Sequence, residues 1–159
     1  MPKIDIAKLP VDTVSLYPDP FRQVTVGRER KRLGNAIGLN QFGVNMTTLK
    51  PGTWSSQRHW HQNEDEFVYV IEGAVVLQED AGETVLKAGD AAGFPANSRN
   101  GHCLINRTDR DAVYIEVGTR AKSERTVYSD IDMKVERDDS GAMVYSRKTT
   151  GEPYPKRSG

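Results

Sequence analysis

From Gln41 onward, the sequence alternates between short runs of β-forming residues and clusters of turn residues. The runs are rich in Val, Ile, Thr and aromatic residues, and their sequences are GVNMTTL, EFVYVI, AVVLQ, ETVL, CLIN and AVYIEV. Gly, Pro, Asn and Asp separate them, and no segment shows a convincing amphipathic helical pattern. Many short strands at even spacing predict an all-β sandwich or a closed barrel, because closure removes exposed strand edges.

Turn signals mark the ends of several of these runs. Tight turns are predicted at Glu72 and Gly73, at residues 80–82 and at residues 87–90. Near the end of the chain, MKVER and AMVYSRK flank residues 138–141 and predict a hairpin outside the central strands. The final stretch, GEPYPKRSG, is expected to be an irregular tail.

The first 35 residues are interrupted by Pro10, Pro18 and Pro20 and carry a basic run from Arg28 to Arg32. Proline removes a backbone donor, so this segment is expected to be an arm or an edge element, not a central strand. We interpret the basic run as a solvated surface in preference to a nucleic-acid or phosphate patch.

Length and charge exclude several classes of protein. A chain of 159 residues fits one domain, and its 22 Lys and Arg residues balance 22 Asp and Glu residues. No net field therefore favours nucleic acid, an anionic membrane or a strongly charged substrate. The N-terminus lacks a secretion-signal pattern, and no apolar run approaches the roughly 20 residues of a membrane span. We expect a soluble, cytoplasmic protein with no nucleic-acid or membrane partner.

Cys103 is the only cysteine in the sequence. A single thiol excludes an intramolecular disulfide and a thiolate-rich zinc cluster, and this residue is expected to be a small buried hydrophobe. Any metal bound by this chain must therefore be held by imidazole nitrogen and by oxygen.

The placement of the three histidines is the most informative chemical feature of the sequence. In a strand, side chains alternate between faces, so His59 and His61 project to the same side while Trp60 projects to the other. Glu66 begins EFVYVI, which we expect to run antiparallel beside the histidine strand after the turn QNED, so that the carboxylate becomes a third ligand. His102 begins the run HCLIN.

Three imidazoles and one carboxylate form a mixed nitrogen and oxygen donor set. Such a set suits one divalent ion of Fe, Mn, Ni, Co, Cu or Zn. Four protein ligands around an ion that prefers six leave two positions for water, dioxygen or a chelating substrate, whereas a tetrahedral zinc site would be filled.

Two sequence motifs carry a resemblance to a known family. Residues 51–73, PGTWSSQRHWHQNEDEFVYVIEG, resemble the first cupin motif, G(X)5HXH(X)3-4E(X)6G, and meet it from His59 to Gly73. Six residues instead of five separate Gly52 from His59. Residues 89–106, GDAAGFPANSRNGHCLIN, resemble the second motif, G(X)5PXG(X)2H(X)3N, although two extra residues lie before His102 and the glycine after Pro95 is missing.

This resemblance is to small bacterial single-domain members of the cupin superfamily, of the cupin 2 conserved barrel type. It implies a double-stranded β-helix, or jelly-roll barrel, with a metal ion inside, and a homodimer formed through outer strands. The implied barrel covers residues 36–120, with an N-terminal arm over residues 1–35 and a C-terminal hairpin and tail over residues 121–159 in the same domain. The implied metal ligands are His59, His61, Glu66 and His102.

The fold does not fix the function, because cupins range from dioxygenases to isomerases and non-catalytic binders. Our leading hypothesis is a metal-dependent enzyme acting on a small polar molecule, either an isomerase or epimerase of a sugar or sugar phosphate, or a dioxygenase. The alternative is a non-catalytic small-molecule binder or sensor, and the arm shows no helix-turn-helix pattern for binding DNA. Gln57 and Arg99 are the candidate substrate contacts, and Asn106 is expected to satisfy buried backbone groups.

Overall fold

The computed structural model describes residues 3–138 and 140–155. Two 3₁₀ turns, Ile6–Lys8 and Gln23–Thr25, lie in the N-terminal arm. The other elements are β1 (Arg28–Arg32), α1 (Leu33–Ala36), β2 (Phe42–Leu49), β3 (His59–His61), β4 (Glu66–Glu72), β5 (Ala74–Glu79), β6 (Gly82–Lys87), β7 (Ala91–Phe94), β8 (Cys103–Ile105), β9 (Ala112–Thr119), β10 (Glu124–Tyr128), β11 (Lys134–Arg137) and β12 (Met143–Ser146). The prediction of an all-β jelly-roll fold is confirmed.

The strands form two antiparallel layers. The first layer has the strand order β1-β2-β9-β4-β7. The second contains β6-β5-β8 and β12-β11-β10-β3, which are joined by a backbone bridge between His59 and His102. In this bridge the amide of His59 donates to the carbonyl of His102 at 3.1 Å, and the amide of His102 donates back at 2.8 Å. The two histidine segments are therefore neighbours in the middle of the second layer.

Apolar side chains from both layers form the main core. Its buried members include Leu49 of β2, Val70 of β4, Val75 of β5 and Tyr114 of β9. A second core, built on Tyr17, Tyr128, Met133 and Val135, packs the N-terminal arm against the C-terminal strands. The Tyr128 ring of this second core contacts the ring of His59 on β3, with a centroid distance of 5.8 Å.

The path of the chain after β3 differs from the sequence prediction. Strand β4 pairs with β7 and β9 in the first layer, whereas β3 pairs with β10 in the second. The expectation that EFVYVI runs beside the histidine strand is therefore wrong. Residues 62–65 carry the chain from one layer to the other, because the amides of Gln62 and Asn63 bind the Glu124 carboxylate instead of continuing into a hairpin. Glu66 consequently faces the histidines from the opposite layer.

The two ends of the chain extend these layers. Strand β1 is an edge strand of the first layer, as expected of the arm. The predicted C-terminal hairpin is confirmed as β11 and β12, which lie at the edge of the second layer. Asp139 of its turn and the tail residues 156–159 lie outside the described residues. Among the described residues, no helix has the length and apolar composition needed to cross a membrane.

Gly73 makes the predicted tight turn at which the chain passes from β4 to β5, and therefore from one layer to the other. Its φ is +74°, and a Cβ atom there would lie 2.7 Å from the carbonyl oxygen of Asp111. Gly52 has a similar φ of +79°, but a Cβ atom there would meet nothing within 4 Å. A side chain introduced at either position would be strained by the positive φ, and at Gly73 it would also clash with the backbone.

We therefore expect Gly73→Ala to lower the free energy of unfolding by about 2–4 kcal/mol, and Gly52→Ala by about 1 kcal/mol. Urea denaturation followed by tryptophan fluorescence measures both. Equal losses in the two variants would show that the clash at Gly73 is absent.

Candidate metal centre

Three elements bring the candidate ligands together. His59 and His61 lie on β3 on the same side of the strand, as the alternation predicts, and Glu66 begins β4 in the opposite layer. His102 immediately precedes β8, and its ring stacks on Phe94 with a centroid distance of 3.6 Å and an interplanar angle of 1°. The stacking fixes the orientation of the imidazole, so that its Nε2 atom points into the space between the layers.

The Nε2 atoms of all three histidines surround one carboxylate oxygen. Oε2 of Glu66 lies 2.8 Å from His102, 3.3 Å from His61 and 3.7 Å from His59. The ligand atoms of His59, His61 and Glu66 all lie within 4.8 Å of one another, whereas His102 lies outside this group and is connected to it by its contact with Glu66. Donors that share one ion at about 2.1 Å are roughly 3 to 3.5 Å apart, so the spacing of His59, His61 and Glu66 fits a common ion.

In His59 and His61, the contacts of the Nδ1 atoms leave the Nε2 lone pairs available to bind a metal ion. Nδ1 of His59 lies 2.8 Å from the carbonyl oxygen of Gln57, which can only accept a hydrogen bond. Nδ1 of His61 lies 3.2 Å from Oγ1 of Thr126 and 3.4 Å from the carboxylate of Glu124. With Nδ1 protonated in both rings, two Nε2 lone pairs would face each other at 3.1 Å, and only a proton or a cation between them makes this favourable. The residues present therefore fit a divalent ion.

Without a metal ion, a proton on His61 balances the negative charge of Glu66. Burial alone would raise the pKa of Glu66, but contacts from His102, His59 and His61 hold it well below its usual range. Burial lowers the pKa of His61, but hydrogen bonds to Glu124 and Glu66 outweigh that effect and raise it to about 10. Burial lowers the pKa of His102 to about 4. An ion bound by these residues would replace the proton that His61 holds next to the Glu66 carboxylate.

Glu124 is a buried residue of the site that the sequence reasoning missed. Its carboxylate accepts hydrogen bonds from the amides of Gln62 at 2.8 Å and Asn63 at 2.9 Å, and it lies beside Nδ1 of His61. A carboxylate in this position orients a ligating imidazole and makes it more basic. The alternation in ERTVY, which turns Glu124, Thr126 and Tyr128 inward, is the signal that identifies this strand.

Glu64 and Glu124 also form a second acidic group around His61. Glu64 accepts a hydrogen bond from the amide of Ala121 and pairs with Arg137, while Glu124 is bound by two backbone amides. Arg137 neutralises Glu64, and the two amides satisfy Glu124 with hydrogen bonds, so we interpret this group as a hydrogen-bonded support for β3.

A cavity of about 300 Å³ adjoins the candidate ligands. Its walls combine apolar and hydroxyl groups from both layers with residues of the N-terminal arm, and they include Val14, Tyr17, Phe94, Leu104, Tyr114 and Tyr128. The charged lining consists of Arg28, Arg30 and Arg32 of β1 together with Glu66 and Glu116. A cavity of this size suits a small molecule.

The two residues predicted to contact substrate do not line this cavity. Gln57 precedes the first residue of β3, so strand alternation does not extend to it, and its side chain donates to the carbonyl of Phe21 in the arm at 2.8 Å. Arg99 is exposed in the loop before His102, with a φ of +58°. The structure instead brings the arginines of β1 to the cavity. The interpretation of that basic run as a solvated surface is wrong for Arg28, which is buried, and holds for Arg32, which is exposed.

Cys103 matches its prediction as a buried hydrophobe. The residue is 0% exposed, and burial raises the pKa of its thiol to about 12. A thiol with this pKa is protonated at neutral pH and does not act as a nucleophile.

Comparisons with known proteins agree with this architecture. A protein-family model described as Cupin domain matches residues 45–118. A solved structure described as a sugar phosphate isomerase from a cupin superfamily, from Silicibacter pomeroyi, is 46% identical to the chain. The match covers 95% of this chain and 96% of that one, with a TM-score of 0.91.

Two further structures are more distant. One, provisionally named a sugar phosphate isomerase, from Acidithiobacillus ferrooxidans, is 27% identical over 77% of this chain and 78% of that one, with a TM-score of 0.73. A predicted oxalate decarboxylase from Thermotoga maritima is 19% identical over 75% of this chain and 99% of that one, with a TM-score of 0.62, and this likeness shows the fold alone. The comparison with curated proteins found no match.

Proposed function

This chain belongs to the cupin superfamily, and we propose that it is a metal-dependent enzyme that isomerises a small sugar phosphate. The observation that carries the proposal is the convergence of three imidazole Nε2 atoms on one oxygen of Glu66 at the wall of a cavity. The name given to the Silicibacter pomeroyi protein, 46% identical to this chain, supports the class of reaction.

In this proposal, His59, His61, Glu66 and His102 hold one divalent ion of Fe, Mn, Ni, Co, Cu or Zn. A bound ion supplies Lewis-acid polarisation of substrate oxygen atoms. Glu124 keeps the His61 ring in position through Nδ1, and Phe94 does the same for His102 by stacking. Leu104, Tyr114 and Tyr128, which are buried, form a wall that would shield a bound substrate from bulk water on that side.

An isomerisation between an aldose and a ketose also needs a group that moves a proton. Among the described residues that line the cavity, Glu116 is the one carboxylate apart from Glu66. Its Oε1 accepts a hydrogen bond from Asn45 at 2.8 Å and lies 2.9 Å from Nε of Arg30. We assign Glu116 as the proton carrier, since these two contacts hold its carboxylate in one orientation.

The test is turnover by protein reloaded with each candidate metal, assayed by NMR against aldose and ketose phosphates, free sugars and hydroxy acids. We expect metal-dependent isomerisation of one sugar phosphate without dioxygen uptake. We expect Glu116→Gln to retain the metal but to lose about 100-fold or more in kcat. Stoichiometric binding without product would favour the non-catalytic binder, and dioxygen uptake would favour a dioxygenase.

A further inference from the structure

Strand β1 presents a row of arginines to the cavity. Its sequence is RERKR, and alternation places Arg28, Arg30 and Arg32 on one face. All three line the cavity that adjoins the candidate metal ligands. The arm residues 14–17 lie along the same wall. Arg28 is buried, Arg30 is partly buried and Arg32 is exposed. Burial of charge is unfavourable without compensation, so Arg28 is the unusual member of the row.

The three arginines differ in how their charge is compensated. Arg30 pairs with Glu116 at 2.9 Å, and Arg32 pairs with Asp12 at 2.5 Å. Arg28 donates only to neutral backbone carbonyls, at 2.6 Å to Ser55 and at 3.2 Å to Val14. Within residues 3–138 and 140–155, no carboxylate pairs with Arg28.

Arg28 is nevertheless the most buried of the three, with 9% of its surface exposed. Burial, together with the neighbouring charge of Arg30, lowers its pKa. A guanidinium group has five N–H donors, and the two carbonyl contacts leave donors for another acceptor. A buried, uncompensated cation on a cavity wall has the properties of an anion-binding group.

The balance of charge in the cavity indicates which anion fits. The Arg30–Glu116 and Arg32–Asp12 pairs are each neutral, which leaves the charges of Arg28 and of the proposed metal ligand Glu66 to be counted together with the ion. These two cancel, so a divalent ion at the proposed site leaves two positive charges in the cavity. A phosphate dianion neutralises both charges, whereas a carboxylate neutralises one.

We propose that Arg28 binds the phosphate group of the substrate at the wall formed by β1 and the arm, while the sugar carbons lie toward His59, His61 and Glu66. The choice of phosphate over carboxylate rests on the proposed function, because the charge balance includes the divalent ion of the proposed metal site. The role of Arg28 as an anion-binding residue rests on its burial and its partners alone.

Inorganic phosphate is the probe, and its binding is measured by isothermal titration calorimetry on metal-free and zinc-loaded protein. We expect Arg28→Gln to weaken phosphate binding about 10-fold to 100-fold in both forms, since a hydrogen bond to a charged group is lost. The matched control is Arg107→Gln, because Arg107 pairs with Glu83 on the surface and does not line the cavity. This control is expected to bind phosphate as the wild type does.

If Arg28→Gln does not fold, a second experiment uses crystals of the wild-type protein. The crystals are soaked in tungstate, an anomalous scatterer that resembles phosphate. An anomalous peak within hydrogen-bond distance of the Arg28 guanidinium supports the proposal. A peak elsewhere in the cavity overturns it.

Different results would overturn the role of Arg28 and the proposed isomerase function. If Arg28→Gln binds phosphate normally while Glu66→Gln does not, the ion alone holds the anion, and the role of Arg28 is wrong although the enzyme assignment stands. If phosphate binding depends on Arg28 but no sugar phosphate is isomerised, Arg28 is confirmed and the proposed reaction is wrong. If acetate binds as tightly as phosphate to zinc-loaded protein, the assignment of a phosphate group is overturned.

Discussion

Glu66→Gln is expected to abolish retention of the divalent ion, with a loss of affinity of at least about 100-fold. Oε2 of Glu66 is the atom that all three histidine Nε2 atoms surround, and it supplies the only negative charge of the proposed ligand set. Glutamine has nearly the same shape, so the variant removes this charge with little change in packing. His61→Ala is expected to have the same effect, because it removes a donor and breaks the contact with Glu124.

The metal-to-protein ratio after dialysis, measured by mass spectrometry, checks this prediction. The matched control is Glu72→Gln, which changes an exposed glutamate at the other end of the same strand. The control is expected to retain one ion per chain. Full occupancy in Glu66→Gln or in His61→Ala would contradict the ligand assignment.

Asn106→Ala is expected to lower the free energy of unfolding by about 2–4 kcal/mol, because the buried carbonyl of Leu49 loses its hydrogen bond to Asn106 and three part-buried hydrogen bonds are lost with it. Asn106 is 0% exposed, and its Nδ2 donates to the carbonyls of Leu49 and Arg110, each at 2.8 Å. Its Oδ1 accepts from the amide of Thr108 at 2.9 Å and from the hydroxyl of the same residue at 2.8 Å. One side chain thereby joins the end of β2 to the loop between β8 and β9.

Urea denaturation of Asn106→Ala and of Asn40→Ala separates this role from a general effect of removing an amide. Asn40 is exposed, and its replacement is expected to change the free energy of unfolding by less than about 0.5 kcal/mol. Similar curves for the two variants would show that the hydrogen bonds of Asn106 do not contribute to stability. Metal content measured on folded Asn106→Ala is expected to match the wild type, since the residue does not line the cavity.

Local sequence patterns predicted the features that depend on neighbours along the chain. The two-residue period places His59 and His61 on one face, and the turn at Gly73 lies where expected. The buried role of Asn106 was also correct. Each of these three features follows from local backbone geometry or from a short motif, and none of them requires knowledge of which strands pair.

Features that depend on long-range pairing were not predicted. Glu66 was placed on the strand beside the histidines, whereas it faces them from the other layer, because strand pairing joins residues far apart in sequence. Glu124 was missed because β10 was not recognised as a strand. Arg28 and Arg30 were assigned to the surface because the alternation of an edge strand does not reveal which face is covered.

The most direct test of the metal centre is an anomalous difference map from a crystal of the wild-type protein loaded with Mn(II), Co(II) or Zn(II). We expect one peak in the cavity, about 2.0–2.3 Å from a carboxylate oxygen of Glu66 and from Nε2 of each of the three histidines. A peak on the Nδ1 side of His61, between Glu64 and Glu124, would contradict this ligand assignment, and so would a map without a peak at Glu66.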